Sequence, residues 1–224
     1  MKLTFIYFDF PFWRAEVSKI ALYTGGIDFE NRKIPMDEFQ RVKENGKLDD
    51  GTIIPFHQFP CLLVDGLPIA QTGAIARFCG KLSGLYPMND GVLAARIDQF
   101  LDFATDITVL VSNTGRDDTV EEKKKKREML AESELACKLQ MLENNIKTEE
   151  KWILGAEMGV EDLAIWRLMG WLSSGVLDGI PVNILKNYPR IRRVCLGVDG
   201  HHKVREWIEL TYPDNYKRGN FSGI

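Results

Sequence analysis

The chain has 224 residues, of which 45% are hydrophobic and 27% charged, with a net charge of −3. Such a balance fits a globular protein large enough for one sizeable domain or two small ones. It shows none of the clustered positive excess that nucleic acid demands, and no apolar run approaches the roughly 18 residues that cross a bilayer.

An apolar run over residues 3–8 reads as a buried strand, which breaks at Asp9 and Pro11. A helix over 14–25 follows, with Val17, Ile20, Ala21 and Leu22 at helical spacing, and Thr24-Gly25-Gly26 ends it. FENRKI at 29–34 is expected to be a second strand, and MDEFQRVKE at 36–44 a short helix. Residues 45–60 are rich in Gly, Asp and Pro and read as loop. Two apolar runs then flank Asp65-Gly66, the dipeptide favoured in a two-residue hairpin turn. Thr72 is expected to cap a helix over 72–84.

Beyond residue 85 the character changes. Long helical stretches are expected over 90–113 and 119–146, and shorter ones over 161–173, 181–187 and 189–198. No later strand pattern is convincing. The expected architecture is an α/β domain over 1–85, then an all-α domain over 90–224. Cys61, Cys79, Cys137 and Cys195 lie far apart and form no C-x-x-C pair, so they read as free buried thiols in a reducing compartment. KLTFIYF opens the chain without the tripartite pattern of a secretory signal, so a cytoplasmic location is expected. EEKKKKREM at 121–129 places Glu121 and Glu122 four residues before Lys125 and Lys126, as on a solvated helix face. His57, His201 and His202 form no metal-ligand pattern with the cysteines, and no metal is expected.

Arg14-Ala15-Glu16, the FPCLLVDG hairpin, QTGAIARF, and YPRI followed by Trp207 occur in order across nearly the whole chain. Together they resemble a cytosolic glutathione S-transferase, most nearly the sigma-like branch that includes glutathione-dependent prostaglandin D synthases. The resemblance implies a thioredoxin-like first domain, a helical second domain and a homodimer. It also implies glutathione as co-substrate and a small apolar electrophile as the second partner.

Chemistry of that kind needs a thiolate near neutral pH. A thiol of pKa about 8.5 is only about 3% ionised at pH 7, and lowering it by two units takes about 2.7 kcal/mol of preferential anion stabilisation. One well-placed hydroxyl supplies much of this, since hydrogen bonds to charged groups contribute about 1.5–3 kcal/mol. By the resemblance that hydroxyl belongs to Tyr7. The related proteins carry Tyr-Phe, two residues, then Arg-Gly-Arg, whereas YFDFPFWRAE lacks the first arginine and the glycine and is one residue longer. A strict count back from Arg14 puts Phe8 in the tyrosine's place; an insertion in the turn keeps Tyr7 there, and that reading is adopted.

The resemblance gives glutathione further contacts. Gln71 and Thr72 open a helix whose free N–H groups suit the γ-glutamyl carboxylate, unless Thr72 serves only as a cap. Pro60 is expected to be cis, with Phe59 pairing to the cysteinyl part. Phe39 and Lys43 lie four residues apart, toward the glycine end, with Phe39 where tryptophan is usual; Lys43 as a plain surface lysine is the alternative. Arg14 braces the turn and ligand, or pairs with Glu16 or Asp9. Asp98 reaches a neighbouring subunit's glutathione amine, or is a surface charge. Phe10, Phe12 and Trp13 wall the apolar substrate, or pack the interdomain seam, with Ser112 and Arg116 opposite. The tail YKRGNFSGI is either a lid or a frayed end. The leading reading is a glutathione transferase; a non-catalytic glutathione- or apolar-ligand-binding or structural protein on the same fold is the alternative.

Overall fold

The computed structural model describes residues 1–147 and 150–222. A four-stranded sheet has the order β2-β1-β3-β4, built from β1 (Leu3–Phe8), β2 (Glu30–Ile34), β3 (Cys61–Val64) and β4 (Leu67–Ala70). β1 runs parallel to β2 and antiparallel to β3, and β3 turns back into β4. Asp65 and Gly66 both take positive φ, 50° and 85°, as the two-residue turn requires.

The pleat of β1 sorts its side chains. Leu3, Phe5 and Tyr7 enter the main core, while Ile6 faces a smaller cluster with Ile34, Val42, Leu48, Ile54 and Cys61. α1 (Trp13–Thr24) and α3 (Thr72–Ser83) cover the first face, and α2 (Met36–Asn45) flanks the second. The helical part follows: α4 (Gly91–Asn113), α5 (Val120–Glu132), α6 (Glu134–Asn145), α7 (Val160–Leu172), α8 (Pro189–Asp199) and α9 (His202–Thr211).

α1 also packs on α7 and α9, so even its polar residues are enclosed. Buried Glu16 is compensated twice, by Lys19 at 3.6 Å and by the Trp207 indole N–H at 2.8 Å. A buried carboxylate without such partners would be strongly destabilising. The Trp13 indole likewise donates to the Thr108 hydroxyl at 2.8 Å and joins α1 to α4.

Several expectations need correction. The helix expected over 119–146 breaks at Ser133, whose backbone (φ −120°, ψ −100°) leaves the helical region while its hydroxyl bonds the Met129 carbonyl. Residues 181–187 form successive turns, and α9, not expected from the sequence, buries Val204 and Trp207 and packs Ile208 against the core. Thr72 is the first helical residue; Gln71 is the cap, and no side-chain capping bond forms there. Cys137 is exposed, unlike the other three cysteines. In the basic run, Lys126 pairs with Asp118 and Lys124 with Glu128, while Glu122 closes a capping box with Thr119.

Gly223 and Ile224 of the tail lie outside the described residues. The rest of it is pinned, not frayed: Arg192 Nε donates to the Phe221 carbonyl, Arg218 pairs with Asp199 at 2.8 Å, and the Asn220 N–H donates to the Ser173 hydroxyl.

Candidate active site

Register brings the N-terminal candidates to one end of the sheet. Ile6 stands opposite Cys61, and Cys61 opposite Ala70, so Tyr7, Phe59-Pro60 and Gln71-Thr72 lie just beyond these pairs at a common edge. Tyr7 is also opposite Lys33, three residues before α2 with Phe39 and Lys43.

Above that edge lies a cavity of about 710 Å³. Tyr7, Phe10, Phe12, Arg14, Ser112 and Arg116 all line it, and Phe8 does not. The pleat thus turns the tyrosine, not the following phenylalanine, toward the cavity. Tyr7 is 4% exposed, and burial pushes its phenol pKa well above the ordinary value, with the Arg14 guanidinium opposing part of that rise. The group is therefore a protonated donor throughout the neutral range.

Arg14 has no ion pair among the described residues. Asp9 pairs with Lys33 at 2.6 Å and Glu16 with Lys19, so both suggested partners of Arg14 are engaged elsewhere. Its guanidinium faces the cavity instead.

Phe39 sits edge-on to Phe8 at 5.0 Å and near Phe59 at 5.7 Å, forming an aromatic cluster at the sheet edge. Lys43 Nζ lies 4.4 Å from the Phe39 ring centroid. The Phe59–Pro60 bond is cis. Gln71 holds φ +74°, an uncommon conformation for a residue with a side chain. The Thr72 hydroxyl is buried without a hydrogen-bond partner. Asp98 is half-buried, and its Oδ1 accepts from Arg77 Nε at 2.6 Å and from the Tyr86 hydroxyl at 3.0 Å.

Of the two roles open to Trp13, substrate wall or interdomain seam, the structure shows the seam. Trp13 is fully buried and does not line the cavity; its neighbour Thr108 does. The aromatic wall is completed by Trp171, whose ring meets Phe12 edge-on at 5.3 Å.

The far side holds Ser112 and Arg116, expected opposite the aromatics, and with them a residue not foreseen, Arg167. Arg167, Tyr216 and Lys217 line the cavity, and Arg167 ties the tail to the first turn. Its guanidinium donates to the Pro11 and Arg218 carbonyls at 3.4 and 2.9 Å and to the Tyr216 hydroxyl at 2.5 Å; that hydroxyl donates in turn to Pro11. The one signal available was a lone arginine inside the otherwise apolar LAIWRLMGWL.

A mixed β2-β1-β3-β4 sheet backed by helices, with a cis proline at its edge and a helical half closing a cavity over a buried tyrosine, defines a thioredoxin-like domain joined to a helical domain. Family models agree: the glutathione S-transferase N-terminal domain matches residues 3–80 and the C-terminal domain residues 105–210. The chain belongs to the glutathione S-transferase family. It is 34% identical over 106 residues to glutathione S-transferase 2 of Manduca sexta, an alignment covering 47% of each chain, so it spans about half the length of that relative. With the hematopoietic prostaglandin D synthase of Gallus gallus it shares 25% identity over 200 residues, covering 88% of this chain and 90% of that one. Among solved structures, prostaglandin synthase D of Nilaparvata lugens superposes with a TM-score of 0.79 at 22% identity, covering 95% of this chain and all of the other.

Proposed function

We propose that this protein is a cytoplasmic, homodimeric glutathione S-transferase of sigma-like type, in which residues 1–85 bind glutathione and 90–224 supply most of the pocket for a small apolar electrophile. The observation that carries the reading is the buried, protonated Tyr7 phenol opening on a cavity with aromatic walls and an unpaired Arg14.

Bound glutathione would lie along the sheet edge, its cysteinyl backbone against Phe59 and its γ-glutamyl carboxylate at the N-terminus of α3, where the first N–H groups have no helical partners. Lys43 is a cation for the glycine carboxylate, and Phe39 offers it a ring face but no N–H donor. The Tyr7 O–H donates to the sulfur and favours the anion; the thiol proton leaves to solvent. The thiolate attacks the electrophilic carbon held among Phe10, Phe12 and Trp171, and the leaving group departs with its electron pair. Arg14, Ser112 and Arg116 face the same space. Oδ2 of Asp98 accepts no bond from Arg77 or Tyr86 and remains available to a ligand amine of the partner subunit.

Retention on immobilised glutathione together with turnover of chlorodinitrobenzene tests the assignment. Retention without turnover would support the non-catalytic alternative, and absence of both would sink the reading. Sedimentation at micromolar concentration is expected to give twice the mass of the 25.6 kDa chain.

Thr72 provides a separate check. Its hydroxyl bonds nothing among the described residues, so Thr72→Val is expected to leave the melting temperature unchanged or slightly higher. If that hydroxyl serves the ligand's carboxylate, glutathione affinity falls by about tenfold, one charge-assisted hydrogen bond. Unchanged affinity by calorimetry would remove Thr72 from the site.

A further inference from the structure

A second cleft, of about 410 Å³, lies where the α3–α4 connection meets residues 154–159 and the start of α7. It shares no lining residue with the Tyr7 cavity. Leu85, Pro87, Leu93, Leu154 and Met158 make its walls largely apolar. Glu161 forms part of that lining and is only 2% exposed.

The two acids at the start of α7 differ sharply. Asp162 accepts the Ile153 and Gly159 N–H groups at 2.9 and 2.8 Å and so staples the preceding loop to the helix. Glu161 staples nothing: its carboxyl meets its own backbone N–H, and its Oε2 is sealed from solvent and hydrogen-bonded to nothing among the described residues. Burial, then the adjacent Asp162, pushes its carboxyl pKa well above the usual range, with its own backbone N–H opposing part of the rise.

An orphaned buried acid costs stability that an alanine or leucine at the same place would spare. The surrounding charges indicate what could satisfy it. No Lys, Arg or His lines the cleft, and the other titratable group on its wall besides Tyr86 is the exposed Glu157. Nearby cations are engaged elsewhere: Arg77 with Asp98, and Lys81 over the Tyr86 ring.

We propose that this cleft is a second binding site, for a small apolar amine bound as its ammonium ion with Glu161 as counter-ion. On binding, Glu161 releases its proton to solvent and the ammonium N–H groups donate to the carboxylate. The apolar walls take the hydrocarbon part, and the volume suits a single-ring arylalkyl amine. A neutral ligand of the same shape leaves the acid without a counter-ion, and an anion meets Glu157 with no cation to receive it.

The test uses the full chain and 2-phenylethylamine at pH 7.5 by titration calorimetry, with 2-phenylethanol and phenylacetate as shape-matched controls. One amine per chain is expected, at least tenfold tighter than either control, with a heat that varies with the buffer's ionisation enthalpy because a proton is released. Glu161→Gln should weaken the amine at least tenfold without lowering the melting temperature or the turnover of glutathione. Leu93→Trp, which fills the cleft, should abolish binding and serves if the first variant fails to fold. Equal binding of amine and alcohol, no saturable amine binding, or binding that survives both substitutions would each overturn the proposal. Loss of glutathione turnover in the unmodified chain would bear only on the Tyr7 cavity, because the amine titration is read without glutathione.

Discussion

Replacing Tyr7 by phenylalanine is expected to lower kcat/KM for conjugation by about 10- to 150-fold, the equivalent of about 1.5–3 kcal/mol for one hydrogen bond to an anion. Retention on immobilised glutathione should survive, because the tripeptide's carboxylates and backbone are held by other groups. The ring already packs edge-on with Phe8 and Phe10 at 5.0 and 5.8 Å, and phenylalanine keeps those contacts. The pH dependence separates loss of the hydroxyl from a packing defect. Burial raises the Tyr7 pKa, so its proton stays in place as pH rises past the thiol's own titration, and Tyr7 adds no limb of its own in the neutral range. The ascending limb therefore reports the bound thiol. Without the hydroxyl, that limb should move upward by about one to two pH units, because each unit corresponds to 1.36 kcal/mol of lost preference for the anion. An ultraviolet titration of the thiolate in the binary complex should move by the same amount. A variant with full activity and an unshifted limb would rule out this hydroxyl as the activator.

The contrast between Tyr7 and Phe8 shows what sequence could carry. Strand alternation is local and was readable: Leu3, Phe5 and Tyr7 share one face, and Asp65-Gly66 fixes a hairpin by turn chemistry. The length of the turn was equally plain, but only the pleat decides which of two adjacent rings meets the cavity. The sheet-edge candidates were legible because register places them together whatever the helices do. Beyond Ser112 and Arg116, the far wall was not. Thr108, Arg167, Trp171 and Tyr216 come from α4, α7 and the tail, and meet only through packing between segments that span residues 108 to 216. Trp13 illustrates the same limit from the other side. Its neighbours in sequence allowed either an open aromatic wall or the seam, and a single hydroxyl on α4 captures its indole N–H and draws it into the seam. α9 was missed although its pattern is present: Val204, Trp207 and Ile208 stand at i, i+3 and i+4 and face the core.

Arg167 is the residue on which that far wall depends, and Arg167→Leu is expected to destabilise the protein by about 3 kcal/mol. Its guanidinium is 1% exposed and pairs with no carboxylate among the described residues; it is solvated by the Pro11 and Arg218 carbonyls, the Tyr216 hydroxyl and the faces of Trp166 and Tyr216. Leucine fills part of the volume but leaves the Arg218 carbonyl without its donor, at about 1–3 kcal/mol, and strips the Pro11 carbonyl and Tyr216 hydroxyl of their bonds to the cation, although Tyr216 still donates to Pro11. For a chain of this size the melting temperature should fall by about 6–12 °C. The loss should also reach the substrate site, because the tail and the first turn are held by the same group. The tail crosses α7 so closely that a Cβ on Gly219 would come within 2.5 Å of the Gly170 Cα, so once the strap is cut there is no adjacent position into which it can settle. KM for the electrophile should therefore rise several-fold while KM for glutathione, bound at the sheet edge, stays near its original value. Tyr216→Phe keeps the charge and the ring but removes the hydroxyl between Arg167 and Pro11. It should cost about 1 kcal/mol and shift the same KM in the same direction by less. Equal changes in both KM values would mean that the strap supports the whole fold rather than the acceptor wall. A melting temperature within 2 °C of the parent in Arg167→Leu would mean that other contacts hold the tail.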